Sequence, residues 1–214
     1  MIVDCISDLH GSYPKLCGGD LLIVAGDLTA QNLKEQYFEF FAWLDKQEYE
    51  RIIVVAGNHD GLFLRREYIN SFLSGTSRID YLCDSGAQVE DFKVWGSPWT
   101  PTFYNWYFMR DRGEEIKAKW DLIPDDTDIL VTHGPPMGIQ DEVKYSSKAN
   151  NGRLAGCEEL RIAVNHRLKN LKLHVFGHIH ESAGKAIVNG VTYVNACIMN
   201  EDYSPVHTPT RVVL

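Results

Sequence analysis

The chain has 214 residues, enough for a substantial core and few enough that one domain, residues 1–214, can account for all of it. Hydrophobic residues make up 44% and charged residues 23%, and no stretch reaches the roughly 18 consecutive apolar residues of a membrane span; a large disordered tail and a membrane-spanning helix are both excluded. The formal net charge of −8 argues against a surface that neutralises nucleic-acid phosphates, but it leaves room for a small phosphate ester, because bound dications reverse the field locally.

The first residues, MIVDCIS, carry Asp4 and lack a basic n-region, so they do not read as a secretory signal. Cys5, Cys17, Cys83, Cys157 and Cys197 are odd in number and contain no C-x-x-C pair, which suits free buried thiols. Both features make the cytoplasm the expected location.

Along the chain, five short apolar runs each end in Gly, Asp, Asn or His: IVDCISDLH at 2–10, LLIVAGD at 21–27, IIVVAGNH at 52–59, ILVTHG at 129–134 and LHVFGHIH at 173–180. Continuous runs rich in β-branched residues predict strands buried on both faces, so the polar residues fall where strands end. Residues 32–47 carry an apolar stripe of Leu33, Tyr37, Phe40, Phe41 and Leu44 at helical spacing, and 62–74 and 156–168 read likewise. Residues 79–96 predict three short strands, Asn189-Gly190 a hairpin between 185–188 and 191–195, and Arg211 to Leu214 a last strand. The expected fold class is α/β, with two packed mixed sheets flanked by helices.

The strand-end residues share one chemistry. Asp8 and His10 can turn toward one metal ion, Asp27 can bridge two, Asn58 supplies an amide oxygen, His133 an imidazole, and His178 and His180 can place one imidazole on each ion. Oxygen and imidazole donors gathered around two divalent ions are what two-metal phosphoester hydrolysis needs. Each short motif alone occurs by chance; their order, and their shared place after apolar strands, makes the set specific.

These residues resemble the calcineurin-like metallophosphoesterases, whose pattern is D-x-H, G-D, G-N-H-D/E, H and G-H-x-H. Here it reads Asp8-Leu9-His10, Gly26-Asp27, Gly57-Asn58-His59-Asp60, His133 and Gly177-His178-Ile179-His180. The wider set ISDLH, AGDLT, AGNHD, WGSPWTP, KWDLIP, DILVTHGPP, KLHVFGHIHE and Tyr193-Val194-Asn195-Ala196 is similar to the metallophosphoesterase-domain-containing family, itself similar to class III cyclic nucleotide phosphodiesterases. The resemblance implies an αββα sandwich and a dinuclear phosphodiesterase of modest activity acting through a metal-bridging hydroxide. It implies Asp8, His10 and His180 on one ion, Asn58, His133 and His178 on the other, and Asp27 on both. His59 is implied as the catalytic residue that assists the leaving oxygen, with Asp60 as an acceptor orienting His59 or another imidazole.

Mn is the first choice of metal, with Fe, Zn, Ni and Co compatible with a donor set free of thiolate. The expected partner is a small phosphate ester, a nucleotide by preference, with neither membrane nor stable nucleic-acid binding. For the substrate, Asn58 and His59 are joined by Trp99 and Trp106 from the aromatic stretch 95–108, as a base-stacking platform, and by Arg153, with Lys144 and Tyr145, from a polar loop. Core packing competes for the tryptophans and a solvated loop for the others. A phosphomonoesterase or phosphoprotein phosphatase, or a catalytically weak metal-binding scaffold, are the alternative functions.

Overall fold

The computed structural model describes residues 1–144 and 153–214. Strands β1 (Ile2–Ile6), β2 (Gly19–Ala25), β3 (Tyr49–Val55) and β4 (Ile79–Tyr81) lie side by side and parallel. The chain then crosses to a second sheet with β5 (Ser85–Val89) and β6 (Phe92–Ser97). A two-residue ladder, β7 (Thr100–Pro101) with β8 (Met109–Arg110), precedes β9 (Ile129–Thr132), and β10 (Glu142–Val143) pairs with β11 (Arg153–Leu154). Strands β12 (Leu173–Phe176), β13 (Gly184–Val188) and β14 (Val191–Asn195) complete the second sheet, in the order β13-β14-β12-β9-β6-β5. Strand β15 (Thr210–Val213) returns antiparallel to β1 and closes the first sheet, in the order β15-β1-β2-β3-β4.

Strand periodicity explains why β2 is apolar throughout. Leu21, Ile23 and Ala25 enter a core shared with Ile129, Val131, Leu173 and Val175 of the other sheet, whereas Leu22 and Val24 belong to the cluster of Tyr37, Phe40 and Leu44. Helix α1 (Lys34–Leu44) supplies those last three residues. Layers of helix, sheet, sheet and helix follow, which is the expected αββα sandwich.

Helix α2 (Arg66–Phe72) is shorter than the 62–74 stripe, because the first part of that stripe forms a separate 3₁₀ turn at Gly61–Leu64. Helix α3 (Glu114–Trp120) has no counterpart among the sequence expectations. Its seven residues bury only Ile116 and Trp120, too few to establish a period. Helix α4 (Glu158–His166) falls within the expected 156–168. The five cysteines are free; Cys5, Cys157 and Cys197 are buried, but Cys17 is exposed, against expectation. Among the described residues no helix is long and apolar enough to cross a membrane.

Candidate metal centre

The nominated ligands all sit just past the carboxyl ends of parallel strands: β1 leads to Asp8 and His10, β2 to Asp27, β3 to Asn58, β9 to His133, and β12 to His178 and His180. The two sheets are stitched together at this end. Ser7 bridges Cys197, with Ser7 N donating to Ala196 O at 2.9 Å. His178 N donates to both carboxylate oxygens of Asp8, at 3.1 and 3.0 Å, and His133 Nδ1 donates to Ala25 O at 2.9 Å. Loops from different sheets are therefore held against each other. The motif glycines follow from this crowding: a Cβ on Gly177 would run into Asp8 and Ser7, and one on Gly57 into Asp27. Asp8, His10, Asp27 and His178 all adopt left-handed φ, at 54°, 43°, 53° and 70°, a region costly for non-glycine residues and concentrated at functional sites.

Asp27 lies at the middle of the set. Its Oδ2 is 3.4 Å from His133 Nε2 and 3.7 Å from His10 Nε2, while Oδ1 accepts the His59 amide at 2.8 Å. His133 Nε2 is also 2.9 Å from Asn58 Oδ1, and His180 Nε2 is 3.4 Å from Asp8 Oδ1. Donor atoms of Asp8, His10 and His180 lie within 4.8 Å of one another, as do those of Asp8, Asp27 and His133, and those of His10, Asp27 and His59. The groups share Asp8, His10 and Asp27, so they form one continuous patch. His178 joins it beside His133, with ring centroids 5.0 Å apart.

A divalent cation suits these donors. Carboxylate, amide and imidazole are mixed without thiolate. Asp8 and Asp27 are buried with no Lys or Arg partner among the described residues, and both ring nitrogens of His10 are buried with no hydrogen-bond partner there. Buried polar atoms left so are costly unless something binds them.

His59 Nδ1 is 2.9 Å from Ala30 O, which can only accept, so Nδ1 carries the proton and Nε2 is left free in a residue that lines the cavity. The orienting role expected of Asp60 is corrected by its partners. Its carboxylate accepts the amides of Leu28 and Thr29 at 3.1 Å and of Gly57 at 2.8 Å, and the Thr29 hydroxyl at 3.2 Å, with no imidazole among them. Asp60 clamps the Asp27 loop to the Asn58 loop and is a positioning residue. Burial and the charge of Asp27 push its pKa up to about 7.

The donor patch opens onto a cavity of 620 Å³, whose lining includes Phe103, Trp106, Arg112, Arg153 and Tyr203. Trp106 stacks on His59 with centroids 4.4 Å apart, and Arg153 is exposed on β11. Trp99 is a correction. It is buried, its indole N–H donates to Asp84 at 2.9 Å, and Arg110 and Lys119 lie over its ring at 4.1 and 4.3 Å, so it is a packing residue away from the cavity lining. Tyr145 lies outside the described residues.

A family model described as Calcineurin-like phosphoesterase matches residues 1–182. The chain belongs to the calcineurin-like phosphoesterase family. It is 38% identical to "Metallophosphoesterase domain-containing protein 1" of Homo sapiens and to that of Mus musculus, each alignment covering 98% of this chain and 70% of the relative. A crystal structure at 16% identity shares the fold with a TM-score of 0.67, over 91% of this chain and 89% of the other. Calcineurin-like phosphoesterases bind divalent metals, and the clusters around Asp8 and Asp27 are candidate ligands for them.

Within this calcineurin-like site, the imidazoles differ in charge. Burial opposes protonation of His133, but the charge and hydrogen bond of Asp27 raise it to about 9; His180 reaches about 9 against the same opposition, through Asp8. His178 is pushed down to about 3 by burial and by its neighbour His133. A metal held by His133 and His180 would have to displace their protons. Loading with Mn²⁺ near neutral pH is expected to release about two protons per chain, with affinity rising as the pH climbs toward about 9 and levelling above it. Calorimetry in buffers of different ionisation enthalpy checks this, and a proton count near zero would contradict it.

Phe103, Arg112 and Tyr203 line the cavity without any motif in the sequence to mark them as site residues. Phe103 is one ring of the aromatic stretch, and its centroid sits 5.0 Å from that of His178. Arg112 donates to the Ala155 and Gly156 carbonyls, a contact 43 to 44 residues away that no local pattern announces.

Proposed function

We propose that this protein is a phosphodiesterase that hydrolyses small phosphodiesters, cyclic nucleotides among them, with two divalent transition-metal ions, Mn²⁺ by preference. The observation that carries the reading is the position of Asp27 Oδ2 between His133 and His10, residues of overlapping donor groups. Asp8, His10 and His180 would hold one ion, Asn58, His133 and His178 the other, and Asp27 both. When bound, such ions polarise a phosphoryl oxygen and lower the pKa of water so that it attacks at neutral pH.

The chain supplies the remaining functions. His59 is held through its amide by Asp27 and through Nδ1–H by Ala30 O; as the doubly protonated imidazolium it would give its Nε2 proton to the leaving oxygen and return to the Nδ1–H form. A cavity of 620 Å³ falls within the roughly 300–1,000 Å³ of small-molecule sites, enough for a nucleotide. Trp106 offers an apolar wall for a base, and Arg153 a guanidinium for an outlying phosphate oxygen.

A hydrolysis panel of 2′,3′- and 3′,5′-cyclic nucleotides, bis-p-nitrophenyl phosphate and phosphomonoesters, run with several metals, tests this. Diesters are expected to turn over faster than monoesters. Faster monoesters would make the protein a phosphomonoesterase, and no turnover with a full metal load would leave a metal-binding scaffold.

A further inference from the structure

Beyond the motif residues, one turn reaches back to the centre. Asn200 accepts the amides of Asp202 and Ser204 on Oδ1, at 3.1 and 2.8 Å, and the Tyr203 amide on its carbonyl at 3.0 Å. The same carbonyl lies 2.9 Å from His180 Nδ1. A carbonyl only accepts, so it fixes the tautomer with hydrogen on Nδ1 and directs Nε2 toward Asp8, 3.4 Å away.

The turn also delivers Tyr203. Its backbone has a left-handed φ of 58°, and its ring packs edge-on against His10 and His180, with centroids 5.0 Å from each. Tyr203 lines the cavity and keeps one side open to solvent. Its ring contacts are with His10 and His180, which share a donor group with Asp8; the other side of the patch, at His178, is covered by Phe103 instead.

We infer that the turn from Asn200 to Ser204 is a positioning device for one metal subsite, that of Asp8, His10 and His180, with Tyr203 shielding its two imidazoles from water. The inference rests on the two-ion reading above. A hydrogen bond to the outer ring nitrogen of a ligating imidazole supports metal affinity, and its loss typically costs about 10 to 100-fold, while an apolar shell controls the access of water to the site. The two subsites therefore differ in their dependence on this turn.

The test is Mn²⁺ titration by calorimetry, with elemental analysis after dialysis against a weak chelator, on wild type, Tyr203→Phe, Tyr203→Ala and Asn200→Ala. Thermal melting checks that each variant folds. Tyr203→Ala is expected to keep one ion at wild-type affinity and to bind the second about 10-fold or more weakly. Tyr203→Phe, which keeps the ring, is expected to behave as wild type, and Asn200→Ala to resemble Tyr203→Ala. Two unchanged ions in Tyr203→Ala, or two ions weakened equally, would overturn the inference while leaving the dinuclear reading intact. A wild type that binds fewer than two ions would instead sink the dinuclear reading, and this inference with it.

Discussion

Replacing Asp27 by alanine is expected to cost more activity than replacing Asp8 or Asn58, by about 10³-fold relative to wild type at saturating metal. Two bound ions would supply several kcal/mol of charge stabilisation, and about 4 kcal/mol corresponds to that factor. Asp27 Oδ2 faces His133 and His10 together, so its loss withdraws a donor from both sides of the patch. Oδ1 also holds the His59 amide at 2.8 Å, so the same change frees His59, the proposed proton donor. Asp8 lies in two of the donor groups as well, but the backbone of His178 and the hydroxyl of Ser7 already occupy its oxygens. Steady-state rates with metal analysis separate the variants. Equal losses in Asp27→Ala, Asp8→Ala and Asn58→Ala would contradict a shared role for Asp27.

The effect of His59→Ala is expected to depend on the leaving group. A p-nitrophenolate departs readily as an anion, whereas a ribose alkoxide needs a proton as its bond to phosphorus breaks. General acid catalysis is worth about 10² to 10⁴-fold, so a cyclic nucleotide should slow by that factor and bis-p-nitrophenyl phosphate distinctly less, with metal content unchanged. Equal slowing with the ions retained would make His59 a phosphate-positioning residue. Loss of ions would place it in the ligand shell, an outcome that its closeness to His10 and Asp27 gives physical grounds to examine.

The strand-end donors were legible in the sequence because a buried parallel strand needs apolar residues on both faces and its polar continuation must lie in the loop beyond. Asp8, Asp27, His133 and His178 each follow such a run, and the structure draws their loops together through Ser7, Cys197 and Ala25. What stayed hidden depends on contacts distant in sequence. Asp60 is adjacent to His59, yet its carboxylate reaches Leu28 and Thr29, more than 30 residues back, and no spacing rule announces that. For Trp99 the sequence leaves a platform and core packing open, and Asp84, Arg110 and Lys119, which decide for packing, are 11 to 20 residues away along the chain. Helix α3 was too short to show a period, and Tyr203 sits in a turn whose residues signal only a turn.

The most direct test of the dinuclear centre is the metal stoichiometry of the wild-type chain, measured by elemental analysis after reconstitution with Mn²⁺ and removal of the excess. About two ions per chain are expected, since overlapping donor groups share Asp8, His10 and Asp27. One ion or none at saturating metal would contradict it.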